Sequence, residues 1–279
     1  MEAWLPSRGC TRNEDAREMK LTLPDRNELF GMLALAPPLI VRLYEEGTEA
    51  AVQRLLLFVL AIGIAYIWAI LFALRTERPP APGLLVFAAA FVLLLPGPVP
   101  WGSAVLALSF GAVFGREIFG GHTILPPALI GLAFAIFSFP EAGYETRGIL
   151  AQSPDLLFAM SCLPGAAVLI MRGSLSWQVA VGALVGLVVA GLLSGDPGWW
   201  QHPGLGTFTA GVLFLAASSE GAGKRKSAQL LHGFLVGILI LLIRYADPAQ
   251  PDGVVFAALL GGLFAPLADR ALGWRPFRG

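Results

Sequence analysis

Ten apolar runs, parted by short polar or Gly/Pro-rich stretches, fill this 279-residue chain almost from end to end. They lie near 29–44, 52–74, 83–96, 100–115, 126–139, 155–171, 176–194, 203–218, 229–245 and 253–268. A bilayer core about 30 Å thick takes roughly 20 apolar residues per helix. In that solvent every backbone N–H and C=O needs a partner within the protein, so only helices or closed barrels can span it. Charged residues make up 14% of the chain, against about 25% in soluble domains. An all-α integral membrane protein follows, with the lipid bilayer as its first partner. The zero formal net charge gives nucleic acid nothing to bind.

Charge placement orients the chain. With ten spans both termini share one face, and that face collects 15 of the 19 Lys/Arg, including Arg116, Arg172 and the cluster Lys224-Arg225-Lys226. The other face keeps Arg42, Arg54, Arg147 and Arg244. Excess Lys/Arg marks the cytoplasmic side, so both termini are expected there, in a bacterial-type inner membrane. Residues 1–28 lack the apolar core of a signal peptide and read as a cytoplasmic tail.

The two halves resemble each other. Leu29-Phe30-x-Met32 is followed by Pro37-Pro38, and Leu157-Phe158-x-Met160 by Pro164-Gly165. Five spans per half would set the halves in opposite orientations, and interrupted helices at matching positions of such repeats point to a midplane site. The expected organisation is a tail 1–28, repeats 29–152 and 153–272, and a tail 273–279. Glycines inside the spans, as in GALVGLVVAGLL (182–193), are expected to serve close helix packing.

Chemistry-bearing residues are few. No Asp, Glu or Lys stands in the middle of a run, which disfavours a relay of buried carboxylates. Arg42, Arg244 and Asp269 lie near run ends, where long side chains are expected to snorkel to water. His122, His202 and His232 fall in separate regions, and Cys10 and Cys162 have no metal-type spacing. No catalytic residue or metal ligand is assigned. The stretch 111–140 is more informative: a helix end, the pair Arg116-Glu117, a Gly120-Gly121 break, then Pro126-Pro127 starting another helix. Proline suits a first helical position, and glycine permits close backbone approach. A plain turn has the same pattern.

FGREIFGGHTILPPALIGLAFAIFSFP (114–140) resembles the core of the NqrB/RnfD family, through Gly120-Gly121, Pro127-Ala128, Gly131 and Phe139-Pro140. A second block, 233–270, is similar to the family's C-terminal signature. It carries Ile243-Arg244, Pro251-Asp252-Gly253, Ala265-Pro266-Leu267 and Asp269. The resemblance implies ten helices in two inverted five-helix repeats, some short or broken. It also implies a membrane subunit of an electron-transport complex, with other membrane redox subunits as partners. Gly120, Gly121, Pro127, Ala128, Asp252 and Gly253 are the implied cofactor-binding positions.

The departures fall on polar positions. Family members carry flavin mononucleotide esterified to a threonine in the outer loop after the fifth helix. The equivalent loop, EAGYETRGILAQSPD (141–155), has only Thr146 and lacks the surrounding motif. Pro126 stands where the family has asparagine, and Ala217-Ser218-Ser219-Glu220 replaces Ala-Thr-Asp-Pro. The expectation is a scaffold and ion path without covalent flavin, any flavin being held noncovalently. A non-redox transporter or channel, or a structural subunit, remains the alternative. Single-cysteine variants at the two tails should label from the cytoplasmic side only; an externally labelled C-terminus would contradict the even span count.

Overall fold

The computed structural model describes residues 26–76, 82–95, 99–120, 122–139, 155–195, 198–204, 206–246 and 253–272. Among them the chain is helical, apart from short turns and an isolated bridge between Leu175 and Ser218. The helices are α1 (Arg26–Thr76), α2 (Leu84–Leu94), α3 (Trp101–Gly115), α4 (Pro127–Ser138), α5 (Leu156–Met171), α6 (Trp177–Ser194), α7 (Gly206–Gly211), α8 (Lys226–Ala246) and α9 (Gly253–Ala271). A π-helical turn, Val212–Ala216, continues α7. Five helical stretches are long and apolar enough to cross a membrane: Arg26–Thr76, Trp101–Phe119, Trp177–Ser194, Lys226–Ala246 and Gly253–Ala271. Four apolar helices are shorter.

At 1.5 Å per residue α1 would reach about 75 Å, over twice the thickness of a bilayer core. Gly47 divides it, with φ 79° and ψ 171°, a conformation that an L side chain rarely adopts. The first two apolar runs therefore meet at one residue. The prolines behave differently from expectation: Pro37, Pro38 and Pro164 sit inside α1 and α5 and do not end them. The two helices cross at these positions. Gly165 lies against the Ala34 carbonyl so closely that any Cβ would overlap it. Neighbouring helices can hold a proline-containing segment helical in lipid.

The ends of this crossing are reciprocal. The Arg42 guanidinium lies 5.5 Å from the centroid of the Phe158 ring, and that of Arg172 lies 4.3 Å from the Phe30 ring. Phe30 and Phe158 are the phenylalanines of the two Leu-Phe-x-Met segments. Each segment thus receives a cation from the far end of the other helix. Arg172 also donates to Asn27 Oδ1 at 2.5 Å.

Small residues set the remaining contacts. Gly182 and Gly186 of α6 face Gly233 and Gly237 of α8, each against backbone atoms of the other helix. On α3, a Cβ at Gly111 would stand 2.7 Å from the Pro127 oxygen, and one at Gly115 would stand 2.7 Å from the Pro127 Cα. Lipid tails give apolar helices no hydrophobic reason to associate, so close backbone packing carries the association.

The charged residues correct a second expectation. Arg42, Arg244 and Asp269 are 9%, 8% and 4% exposed, so they are buried and do not snorkel. Glu28, Arg54 and Arg116 are buried as well. Helix ends explain several of them. α2 has 11 residues, about 16 Å of helix, so its ends fall where water is scarce. Its Leu85 N–H donates to the Glu28 carboxylate at 2.7 Å. At the other end Arg54 Nη1 donates to the Val92 carbonyl and, at 3.1 Å, to the Leu95 carbonyl. Glu46 holds Arg54 through an Nε–H bond of 2.7 Å. Ahead of α8, the Asp269 carboxylate accepts the N–H groups of Lys224 and Arg225 at 2.8 and 3.2 Å.

Gly233→Val should abolish the folded monomer in detergent, because its Cβ would enter the Val179 backbone and overpacking costs about 3 kcal/mol or more there. Gly63→Ala, where nothing lies within 4 Å, should elute as wild type by fluorescence-detected size exclusion.

Candidate functional site

A cavity of about 320 Å³ lies between the N-terminal end of α2 and the C-terminal end of the α7/π segment. Its walls are apolar: Leu35, Phe87, Ala90, Leu213 and Phe214. Its rim is polar, formed by Asn27 and Glu28 from α1, Arg116 after α3, and Ser218, Ser219 and Glu220 after the π turn. Pro126, Pro127 and Ala128, at the start of α4, complete it.

Local sequence explains this placement. Arg116 follows the end of α3, and Glu117–Phe119 form a 3-10 turn closed by Gly120 in the left-handed region, φ 69°. The chain then reaches Pro126-Pro127, and Pro127 opens α4. Gly115, with no Cβ, lets Pro127 lie directly on α3. On the opposite wall, Ser176 N–H donates to the Ala217 carbonyl at 2.8 Å, and Ser219 N–H to the Ser174 carbonyl at 3.1 Å. These bonds close the π-helical end and hold Ser218–Glu220 at the rim.

Arg116 is the electrostatic centre. It is 3% exposed, donates from Nη1 to the Pro82 carbonyl at 2.9 Å, and lies 3.4 Å from Glu117 Oε1 through Nε. Its Nη2 is enclosed with no hydrogen-bond partner among the described residues. Glu220 is wetted by the cavity yet crowded by protein atoms. Burial pushes its carboxyl above the usual carboxylate range, while Arg116 and a hydrogen bond with Thr123 pull the other way. Apolar walls under a polar rim that includes Arg116, Asn27 and Ser218 suit a flat heteroaromatic body with polar atoms at its edge.

A second, much smaller cavity, about 20 Å³, lies at the other ends of α2 and α7, beside Arg42, Leu93, Phe158 and Thr207. It has room for about one water molecule. Arg42 Nε lies 3.3 Å from Glu46 Oε1, and Thr207 Oγ1 lacks a hydrogen-bond partner among the described residues.

Residues 25–145 and 146–278 match the NQR2, RnfD, RnfE family. The chain belongs to that family. It is 29% identical over 261 residues to the NqrB subunit of the Na(+)-translocating NADH-quinone reductase of Chromohalobacter salexigens, covering 76% of this chain and 64% of that protein. The corresponding subunit of Azotobacter vinelandii is 28% identical, with 81% of this chain and 68% of the relative covered. That of Pseudomonas aeruginosa is also 28% identical, with 88% and 72% covered. The chain thus spans just under two thirds of the Chromohalobacter protein.

In this family member Pro127 and Ala128 line the cavity, and Gly120 closes the turn that leads to them. Gly253 starts α9 against Ile240 and Ile243, near the far end of α8, and does not line the cavity. Gly121, Asp252 and the loop carrying Thr146 lie outside the described residues. Glu28 is hard to find in the sequence because it stands at the polar edge of the first apolar run. Its one signal is a lone carboxylate directly before Leu29-Phe30. His232, assigned no role, is 2% exposed and packs near Gly261 of α9.

A carboxyl whose folded pKa is raised stabilises the fold while protonated and loses that contribution as pH rises through the folded value. Glu220→Gln should therefore flatten the melting temperature against pH from about pH 4 upward, with its largest gain at the alkaline end. A gain confined to acid would contradict the raised carboxyl.

Proposed function

We propose that the chain is the membrane scaffold of an electron-transport complex and holds a noncovalent flavin in the cavity beside Arg116. In this reading ten helices cross the membrane as two inverted repeats, 29–152 and 153–272, with both tails cytoplasmic. Two observations support the repeats: the division of α1 at Gly47, and the reciprocal Arg42–Phe158 and Arg172–Phe30 contacts. The relatives are named as subunits of a Na(+)-translocating NADH-quinone reductase, which favours an electron-transport role over a lone transporter.

The cavity carries the proposal. Its volume lies at the lower end of the roughly 300–1,000 Å³ usual for ligand sites, and its apolar walls and polar rim fit an isoalloxazine ring with its carbonyl edge toward the Arg116 side. Phe87, Leu213 and Phe214 would sandwich the ring. Pro127 and Ala128 would form its floor, and Ser218 would face its polar edge. The turn closed by Gly120 leads to α4, while Gly253 starts α9 away from the cavity. A bound flavin supplies electron transfer in one- or two-electron steps. The chain's own task is to bind it, keep water from its faces and orient it toward neighbouring redox subunits, which deliver and remove electrons. The flavin is held without a bond to Thr146, whose surroundings lack the family's attachment motif. The α2–α7 pair, with a cavity at either end, is the place for an ion path.

Detergent-purified protein should show flavin absorption that moves to the supernatant after acid denaturation. Ala128→Phe, which fills the floor, should lower flavin occupancy about tenfold while elution from size exclusion is unchanged, as expected when a pocket contact worth about 1.4 kcal/mol is lost. Flavin that stays with the pellet would mean covalent attachment. Colourless protein would leave a scaffold without a cofactor.

A further inference from the structure

In the loop between the π turn and α8, Ser218–Glu220 serve the cavity, and the second half presents a different chemistry. Lys224, Arg225 and Lys226 are consecutive and exposed, and Arg270 is exposed near the end of α9. They are brought together by Asp269, whose carboxylate binds the Lys224 N–H at 2.8 Å and the Arg225 N–H at 3.2 Å. Gly223 fits beside that carboxylate, where a Cβ would stand 3.1 Å from Oδ1. Gln229 Nε2 donates to the Gly223 carbonyl at 2.8 Å, and Arg225 Nη1 donates to the Leu272 carbonyl. These bonds hold the Lys224–Arg225 backbone on Asp269, the residue before Arg270, and so bring four exposed cationic residues to one end of the α8–α9 pair.

Nothing among the described residues neutralises them. Asp269 is 4% exposed and spends both oxygens on backbone N–H groups. Glu220 lines the cavity and interacts with Arg116 and Thr123. Among the described residues no carboxylate forms an ion pair with Lys224, Lys226 or Arg270. About one turn into the membrane from the ledge, exposed apolar side chains begin: Leu230 and Leu231 on α8, Phe264 and Leu267 on α9. Cationic groups at a helix end, directly beside an exposed apolar face, match an anionic headgroup with its acyl chains below.

We propose that this ledge is a binding site for an anionic phospholipid, whose phosphate is held by Lys224, Arg225, Lys226 and Arg270 and whose chains lie along α8 and α9. The site is independent of the cavity and of any flavin. An acidic protein segment would satisfy the charges but would leave the apolar faces below without a role.

Native mass spectrometry of the full chain, with cardiolipin, phosphatidylglycerol or phosphatidylcholine added, tests the site. Wild type should retain the two anionic lipids at least about tenfold better than phosphatidylcholine, with the preference falling as salt rises. The quadruple variant K224Q/R225Q/K226Q/R270Q should lose that preference, and R75Q, which removes a cation elsewhere, should keep it. Asp269→Asn separates a built site from general attraction. It adds net positive charge, so attraction alone predicts equal or stronger retention, whereas a ledge held by Asp269 predicts weaker retention. Unchanged anionic-lipid preference in the quadruple variant overturns the proposal. Unchanged lipid with loss of co-purifying subunits also overturns it and assigns the ledge to an acidic protein partner.

Discussion

A backbone group left unpaired at membrane depth has no water to turn to, and each such group costs several kcal/mol. Short helices multiply that problem, since every one adds ends inside the bundle. Among the described residues four apolar helices fall below spanning length, and three of the buried charges meet the ends of one of them, α2. Glu28 accepts from the start of α2, Arg54 donates to its last carbonyls, and Arg116 donates to Pro82 just before it. Asp155 accepts from Phe158 N–H at the start of α5. Ionisable residues in a membrane are usually read as a transport path; here several of them close helices.

The same constraint shapes the cavity. Because α2 ends early and the α7/π segment ends early from the other direction, space opens beside each end. The groups that terminate the short helices, Glu28, Arg116 and the Ser174–Ser219 bonds, then become the polar rim. The walls are the apolar side chains of the short helices themselves. Rigidity comes from the glycine contacts between α6 and α8 and between α3 and α4, and from the α1–α5 crossing at Gly165 and Ala34.

Much of the architecture could be read from the sequence because lipid makes apolar run length a direct signal. Among the described residues every run falls on helix, though the first two share α1 and the run 203–218 is divided between a 3-10 turn, α7 and the π turn. Part of the family likeness rested on positions that are packing contacts, such as Pro127 on Gly115 and Gly131 against Ala107 and Phe91. Other features left no local trace. Pro37-Pro38 and Pro164 look like breaks, and only the partner helix shows why they are not. Arg42, Arg244 and Asp269 sit at run ends, where snorkelling and burial are indistinguishable without the neighbours. The π turn Val212–Ala216 has an ordinary apolar sequence. Of the candidate site, the prolines of α4 were legible, but Glu28 and the orphaned Arg116 Nη2 became visible only when distant segments met.

The central claim is that buried charges hold the ends of α2. Amide hydrogen exchange across α2 in wild type, Glu28→Gln and Arg54→Met, in matched detergent, measures this most directly. A bond to a charged group is worth about 1.5–3 kcal/mol, so the account predicts at least about tenfold faster exchange. In Glu28→Gln the change should begin at Leu85, and in Arg54→Met it should appear toward Leu95, with α6 and α8 unchanged in both. Equal protection of α2 in all three proteins would contradict it, and would return those charges to the surface or to a transport path.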